Sequence, residues 1–304
     1  MSLALAMALA ACSSATPSPT IGPTPTATAT ASPDVTAAPT PSPSPSPTPF
    51  ACTELNGTIV DRAYTSKVTG VREHYRLYLP PCYETAGRRF PYVILFHGSL
   101  DDHTEWTEKL HVDAVLDKGI AAGTLAPMIV VMPEGGAIAN GHEYRAGKSY
   151  ESVILDEIVP RVEAEFATFG TREGREIGGI SRGGFWAFSI AFRHPDLFAA
   201  VGGHSPFFHP TNAPATSNPL DPVEDVSVAK LESMRIWVDR GAQDYAEPGI
   251  TPFVETLERR EIESDVKLYA TGTHSVAYWK SHVATYLAWY GKEWPQTYQG
   301  LPLR

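Results

Sequence analysis

Two apolar runs, YVILF at 92–96 and MIVVM at 128–132, have no polar interruption. Five residues of that kind bounded by turn formers predict strands buried on both faces. Residues 57–65 and 73–79 alternate instead and predict an antiparallel pair. Helical spacing begins at 152–167, where Ile154, Ile158, Val162 and Phe166 fall on one face. A strand over 175–180 leads into glycines and an apolar helix over 185–192. Further short strands are expected at 199–203, 235–238 and 266–269, with helices over 251–260 and 276–290. Strands alternating with helices imply right-handed crossovers and a mostly parallel sheet covered on both faces. In such a sheet, chemistry is expected beyond the carboxyl ends of the strands.

The first 50 residues break this pattern. Residues 3–11, LALAMALAA, are small and apolar, and Cys12 follows them. The run is long enough for a signal segment and too short to span a membrane. Residues 13–50 hold 11 prolines, and Asp34 is their only charge. A segment with so little to bury cannot offset its ordering entropy. Alternating proline favours the polyproline II helix, and a stalk on the order of 100 Å follows. Three parts are therefore expected: a leader at 1–11, a disordered Pro/Thr/Ser-rich stalk at 12–50, and a folded domain at 51–304. LAAC at 9–12 resembles the lipobox of bacterial lipoproteins, which implies cleavage before Cys12 and lipidation of its thiol. Such a chain is extracytoplasmic and touches the membrane only through that anchor. In an oxidising compartment the remaining pair, Cys52 and Cys82, reads as a disulfide.

Composition narrows the partners. The 304 residues carry 24 Lys+Arg against 34 Asp+Glu, a net charge of −10. That balance argues against a nucleic-acid partner, which calls for a basic face.

The chemistry sits where the pattern places it. GISRG at 179–183 is a G-x-S-x-G element between a predicted strand and a predicted helix, the setting of a nucleophile elbow at Ser181. A serine nucleophile needs a base. His274 lies just after the last predicted strand, whereas His74, His194 and His282 lie in settings that suit packing or surface. The base needs an orienting acid. Asp244, in the loop beyond Gly241, has the reach; Asp239, at the end of the predicted strand, is the second choice. The order Ser181, Asp244, His274 is that of α/β-hydrolases. Oxyanion donors are expected from the Arg182 backbone N–H and from Ser99 or Leu100, after the strand ending at His97. His204 is a candidate wall of the pocket. Trp106, Trp186, Phe207, Phe208, Tyr278 and Trp279 lie near predicted strand ends, with Trp106 and Trp279 the preferred pocket residues.

HGSLDDHTEW (97–106), VVMPEGG (130–136), GGISRGGFWA (178–187), HPDLFAAVGGHSP (194–206), VDRGAQD (238–244) and GTHSVAYW (272–279) together resemble the esterase D-like, or putative esterase, family. Feruloyl esterases, S-formylglutathione hydrolases, enterobactin-type esterases and antigen 85 mycolyltransferases belong to it. The resemblance covers roughly residues 70–292. It implies an α/β-hydrolase fold without a large lid, and it assigns nucleophile, acid and histidine to Ser181, Asp244 and His274. It implies no metal and no organic cofactor. The expected substrate is a small-molecule or polysaccharide-linked ester. An acyltransferase would use the same triad on a sugar hydroxyl, and a binding module would keep the fold without turnover. A metal hydrolase built on His97, Asp101, Asp102 and His103 is disfavoured, because Ser99 stands where a further histidine is needed.

Overall fold

The uninterrupted apolar runs become the centre of one sheet. The computed structural model describes residue 22 and residues 50–304, so the leader, Cys12 and the rest of the stalk up to residue 49 lie outside the described residues. The strands are β1 (Thr58–Thr65), β2 (Arg72–Leu79), β3 (Tyr92–Phe96), β4 (Ile129–Pro133), β5 (Arg175–Ile180), β6 (Ala200–His204), β7 (Arg235–Gln243) and β8 (Asp265–Thr273). They form an eight-stranded sheet in the order β1-β2-β4-β3-β5-β6-β7-β8. The β1–β2 and β2–β4 pairings are antiparallel and all the others are parallel. Every residue of β3, β4, β5 and β6 is buried, which is why the first two read as unbroken apolar segments.

Helices cover both faces. They are α1 (Glu105–Glu108), α2 (Val112–Ala121), α3 (Gly136–Ala139), α4 (Tyr150–Ser152), α5 (Val159–Glu165), α6 (Arg182–Arg193), α7 (Pro222–Asp225), α8 (Val228–Leu231), α9 (Glu247–Arg259) and α10 (Val276–Tyr290). Strand alternation divides the core in two. Ile94 and Phe96 of β3 pack with α5, α6 and α9, while Val93 and Leu95 pack with α2 and α10. The arrangement is an α/β-hydrolase fold.

Three expectations are corrected. The helix expected over 152–167 is broken by a π-helical turn, Val153–Ile158, ahead of Pro160. The proline ring has no N–H for the carbonyl four residues back, so the regular ladder cannot continue through it. Ile154, Ile158, Val162 and Phe166 still face the core. Strands β7 and β8 run well past residues 238 and 269, because their ladder continues through polar residues at the carboxyl edge. Phe50, assigned to the stalk, packs on Tyr298 with ring centroids 5.6 Å apart, since an aromatic ring has surface to bury where Pro, Ser and Thr have little. A disulfide joins Cys52 to Cys82, 30 residues apart, and ties the start of the domain to the end of the β1–β2 hairpin.

Candidate active site

Ser181 sits between β5 and α6 with φ 53° and ψ −116°, a left-handed conformation that only a tightly held residue keeps. Its backbone is anchored on both sides. The Ser181 N–H donates to His204 O (3.1 Å), and Phe207 N–H donates to Ser181 O (3.0 Å). The turn also needs its glycines. A Cβ on Gly179 would lie 2.5 Å from the Gly183 backbone, and one on Gly183 would lie 2.5 Å from Phe96 O. The elbow thereby lifts the hydroxyl above the sheet at the N-terminus of α6, where the first N–H groups have no partner inside the helix.

Three side chains expected from the sequence meet there. Ser181 Oγ is 2.7 Å from His274 Nε2. His274 Nδ1 is 2.9 Å from Asp244 Oδ1. The carboxylate calls for the Nδ1–H tautomer, which leaves Nε2 to accept the serine proton. Asp244 lies just past the end of β7 and His274 just past the end of β8. Burial alone would raise the Asp244 carboxyl. Hydrogen bonds from His274 and the Ala246 N–H reverse this and hold it below the usual carboxylate value. The acid therefore stays charged and orients the imidazole. The ring is flanked by Tyr245, at 4.3 Å between centroids, and by Trp279, edge-on at 5.0 Å.

A cavity of about 460 Å³ opens over this relay, lined in part by Gly98, Ser99, Arg182, Phe207, Tyr245 and Trp279. Another of about 400 Å³, between β1 and Arg304, contains no nucleophile and base pair. The loop after β3 forms one wall of the first. His97 Nδ1–H donates to Gly98 O (2.7 Å), and His97 Nε2 accepts from the Gly135 N–H (3.1 Å). Burial pushes the His97 ring down, which suits this neutral bridging role. Glu105 accepts the Gly98 N–H at 2.7 Å. The Ser99 hydroxyl accepts from Arg182 Nε at 2.8 Å. Leu100, at φ 62°, turns its side chain outward and is 93% exposed.

Two of the expected pocket residues lie elsewhere. Trp106 is buried beneath the loop, and its indole N–H donates to Phe96 O (3.1 Å). His204 is also buried. It contacts Asp239 and the Tyr290 hydroxyl and stacks on Tyr286 at 3.6 Å. As the last residue of β6, His204 falls on the sheet face that packs on α10. Trp186 and Phe208 are core residues as well. Trp279 does line the cavity. Asp239 is not a partner of His274. It takes hydrogen bonds from Trp237 Nε1 (2.7 Å), Tyr278 (2.6 Å) and Tyr286 (3.0 Å) inside the core. Sequence reasoning gave no role to Tyr245 or Glu105 and weighed His97 only as a strand end and a metal ligand. Tyr245 follows Asp244, and His97 and Glu105 lie within the 97–106 motif; that placement is the only signal they carry.

A family model described as "Putative esterase" matches residues 66–290. An endo-1,4-beta-xylanase/feruloyl esterase of Xylanibacter ruminicola is 28% identical over 156 residues, which are 48% of this chain and 21% of that protein. Esterase Rv1288 of Mycobacterium tuberculosis is 34% identical over 131 residues, 42% of this chain and 27% of that protein. The chain thus spans about a quarter of the length of these curated relatives. Among solved structures, a ferulic acid esterase superposes with a TM-score of 0.72 at 26% identity, covering 79% of this chain and 100% of that one.

Proposed function

The chain belongs to the putative esterase family, and on that premise we propose that it is an exported serine carboxylic-ester hydrolase. The relay from Ser181 through His274 to Asp244 carries this reading. Ser181 Oγ attacks the ester carbonyl as His274 Nε2 takes its proton. Asp244 holds the ring and stabilises the imidazolium. The alkoxide of the tetrahedral intermediate is received by the Arg182 backbone N–H and by an N–H of the loop at Ser99 and Leu100. His274 returns the proton to the leaving alcohol, and an acyl group remains on Ser181. Water then attacks the acyl carbon as it gives a proton to His274, and His274 passes that proton to Ser181 Oγ as the Oγ–acyl bond breaks and the acid leaves.

The substrate we propose is an ester with an aromatic acyl group, attached to a small alcohol or a polysaccharide. Phe207, Tyr245 and Trp279 around the cavity support this, as do relatives named as feruloyl esterases. Export is supported by the Cys52–Cys82 disulfide and by the lipobox-like segment ending at Cys12. In this reading residues 51–304 are the catalytic domain.

The test is methyl ferulate and p-nitrophenyl acetate hydrolysis, with fluorophosphonate labelling in parallel. Ser181→Ala is expected to lower kcat by at least about 10⁴-fold and to abolish the adduct while the fold persists. Turnover and labelling retained in that variant overturn the reading.

A further inference from the structure

One charged group in the nucleophile cavity has no task in this mechanism: the guanidinium of Arg182. Its backbone belongs to the elbow, but its side chain crosses the cavity wall. Nε donates to Ser99 Oγ at 2.8 Å, and Nη1 donates to Asn140 O at 2.7 Å and to the His142 ring at 2.6 Å. All three partners are neutral. Burial and the neighbouring cation push His142 down to about 4, so the ring stays an uncharged acceptor. No carboxylate among the described residues forms an ion pair with Arg182, and burial holds its own ionisation below the usual arginine range. A half-buried cation without a counter-charge is costly to keep. Two further facts sharpen the observation. The guanidinium is fixed at Nε and Nη1 by two separate loops, while Nη2 has no partner among the described residues. The acids that share the cavity are also already engaged, since Asp101 pairs with Lys109 and Glu105 turns to the Gly98 N–H.

We propose that Arg182 is a specificity-determining residue whose unpartnered Nη2 donates to a carboxylate carried by the ester substrate. The proposal rests on the esterase reading and adds a substrate class to it, an ester with an anionic group close to the scissile bond. A planar guanidinium held at Nε and Nη1 offers a carboxylate a fixed positive charge and a preorganised donor at Nη2. The anion has two chemical sources. It can sit on the acyl group, as in a dicarboxylic acid monoester, or on the alcohol, as in an acylated uronic acid. Beyond His142 lies a second cavity of about 350 Å³ whose lining includes Lys148. Lys148 forms no ion pair among the described residues, and a charged saccharide extending past Arg182 would meet it there.

The experiment measures kcat/KM for matched charged and neutral esters. One arm compares 4-methylumbelliferyl hemisuccinate with 4-methylumbelliferyl butyrate. The other compares acetylated methyl glucuronide with acetylated methyl glucoside. In the unmodified protein the charged ester is expected to be preferred in one arm, and that arm identifies the source. The preference is expected to fall as sodium chloride rises. Arg182→Gln is expected to reduce the charged-to-neutral ratio by about tenfold to a hundredfold, and Arg182→Lys to restore part of it. Calorimetric titration of Ser181→Ala with methyl glucuronide and with monomethyl succinate reads the same site without turnover. A ratio that is insensitive to salt and equal in the unmodified protein and Arg182→Gln, in both arms, overturns the proposal. Failure to hydrolyse even the neutral esters instead overturns the esterase reading, and the titration still decides the carboxylate site.

Discussion

His204 Nδ1 lies 2.8 Å from Asp239 Oδ1, and neither side chain is exposed to solvent. The two residues are register partners on neighbouring strands, β6 and β7. Asp244 and His274, a pair of the same type, meet at 2.9 Å just beyond the ends of β7 and β8. One pair lies inside the sheet and one lies past its edge. The difference in position divides their tasks. The inner pair is closed off by Trp237, Tyr278, Tyr286 and Tyr290, which supply its remaining hydrogen bonds. The outer pair faces a serine hydroxyl and a cavity.

Opposite phenotypes are therefore expected from the two aspartates. Asp239→Ala removes one member of a buried hydrogen-bonded pair and leaves His204 and three donors unsatisfied. It is expected to cost about 3–5 kcal/mol of folding stability. Asp244→Asn keeps the shape of the site but favours the wrong imidazole tautomer. It is expected to lower kcat by about 10⁴-fold with a much smaller loss of stability. Urea unfolding and ester turnover on both variants test this. Equal loss of turnover at equal stability would remove the distinction between the pairs.

These two aspartates also show what is legible in the sequence and what is not. Ser181 is legible because its flanking glycines answer a steric demand that can be named in advance. His274 is legible because it follows the last strand. The choice between Asp239 and Asp244 depends on where β7 ends. A strand that runs on through Asp239 and Arg240 at the polar edge of a sheet resembles a loop in sequence. The pocket is harder still. Trp106 and Trp186 share with Trp279 every property visible in sequence, and only packing sends the first two into the core. The short helix α2 is missed because its buried positions include Gly119, so its apolar stripe is thin.

Burial pushes the Glu105 carboxyl up to about 7, despite the Gly98 N–H that favours its charged form. The sign of the pH effect follows. Between pH 4.5 and 7 the folded protein holds this proton while the unfolded chain releases it, so stability falls as pH rises through that window. Glu105→Gln keeps an acceptor for Gly98 and removes the ionisation. The variant is expected to match the parent at pH 4 and to gain about 1–3 kcal/mol on it by pH 8. Unfolding free energies at both pH values check this. A constant difference between the proteins across the range would contradict it.

The Cys52–Cys82 bond closes a loop of 30 residues around the β1–β2 hairpin. In the chain-entropy view it stabilises by about 3–4 kcal/mol, by limiting the unfolded ensemble. The cysteines do not line the cavity at Ser181. Cys52→Ala/Cys82→Ala is expected to lower the urea midpoint while turnover at 25 °C is kept. An unchanged midpoint would mean that the bond merely decorates the domain's start. A loss of turnover in still-folded protein would mean that the hairpin reaches the site.

Trp106 and Tyr245 are the paired test of the pocket. Trp106 is about 1% exposed, and its ring fills the core under the loop that carries Gly98. Tyr245 is 65% exposed, and its ring stands over His274 at 4.3 Å. Trp106→Ala is expected to cost about 3–5 kcal/mol, from lost burial and the cavity it leaves. The protein that remains folded should show an unchanged ratio of feruloyl to acetyl ester turnover, because the indole does not line the cavity at Ser181. Tyr245→Ala is expected to leave stability within about 0.5 kcal/mol, as exposed truncations do. If its ring stacks on an aromatic acyl group, the feruloyl ester should lose about 0.5–1.5 kcal/mol of transition-state binding, a factor of about 2 to 13, while the acetyl ester changes little. Selectivity that moves with Trp106 and not with Tyr245 would place the substrate beneath the loop, where the structure has a closed core, and would redraw the cavity wall.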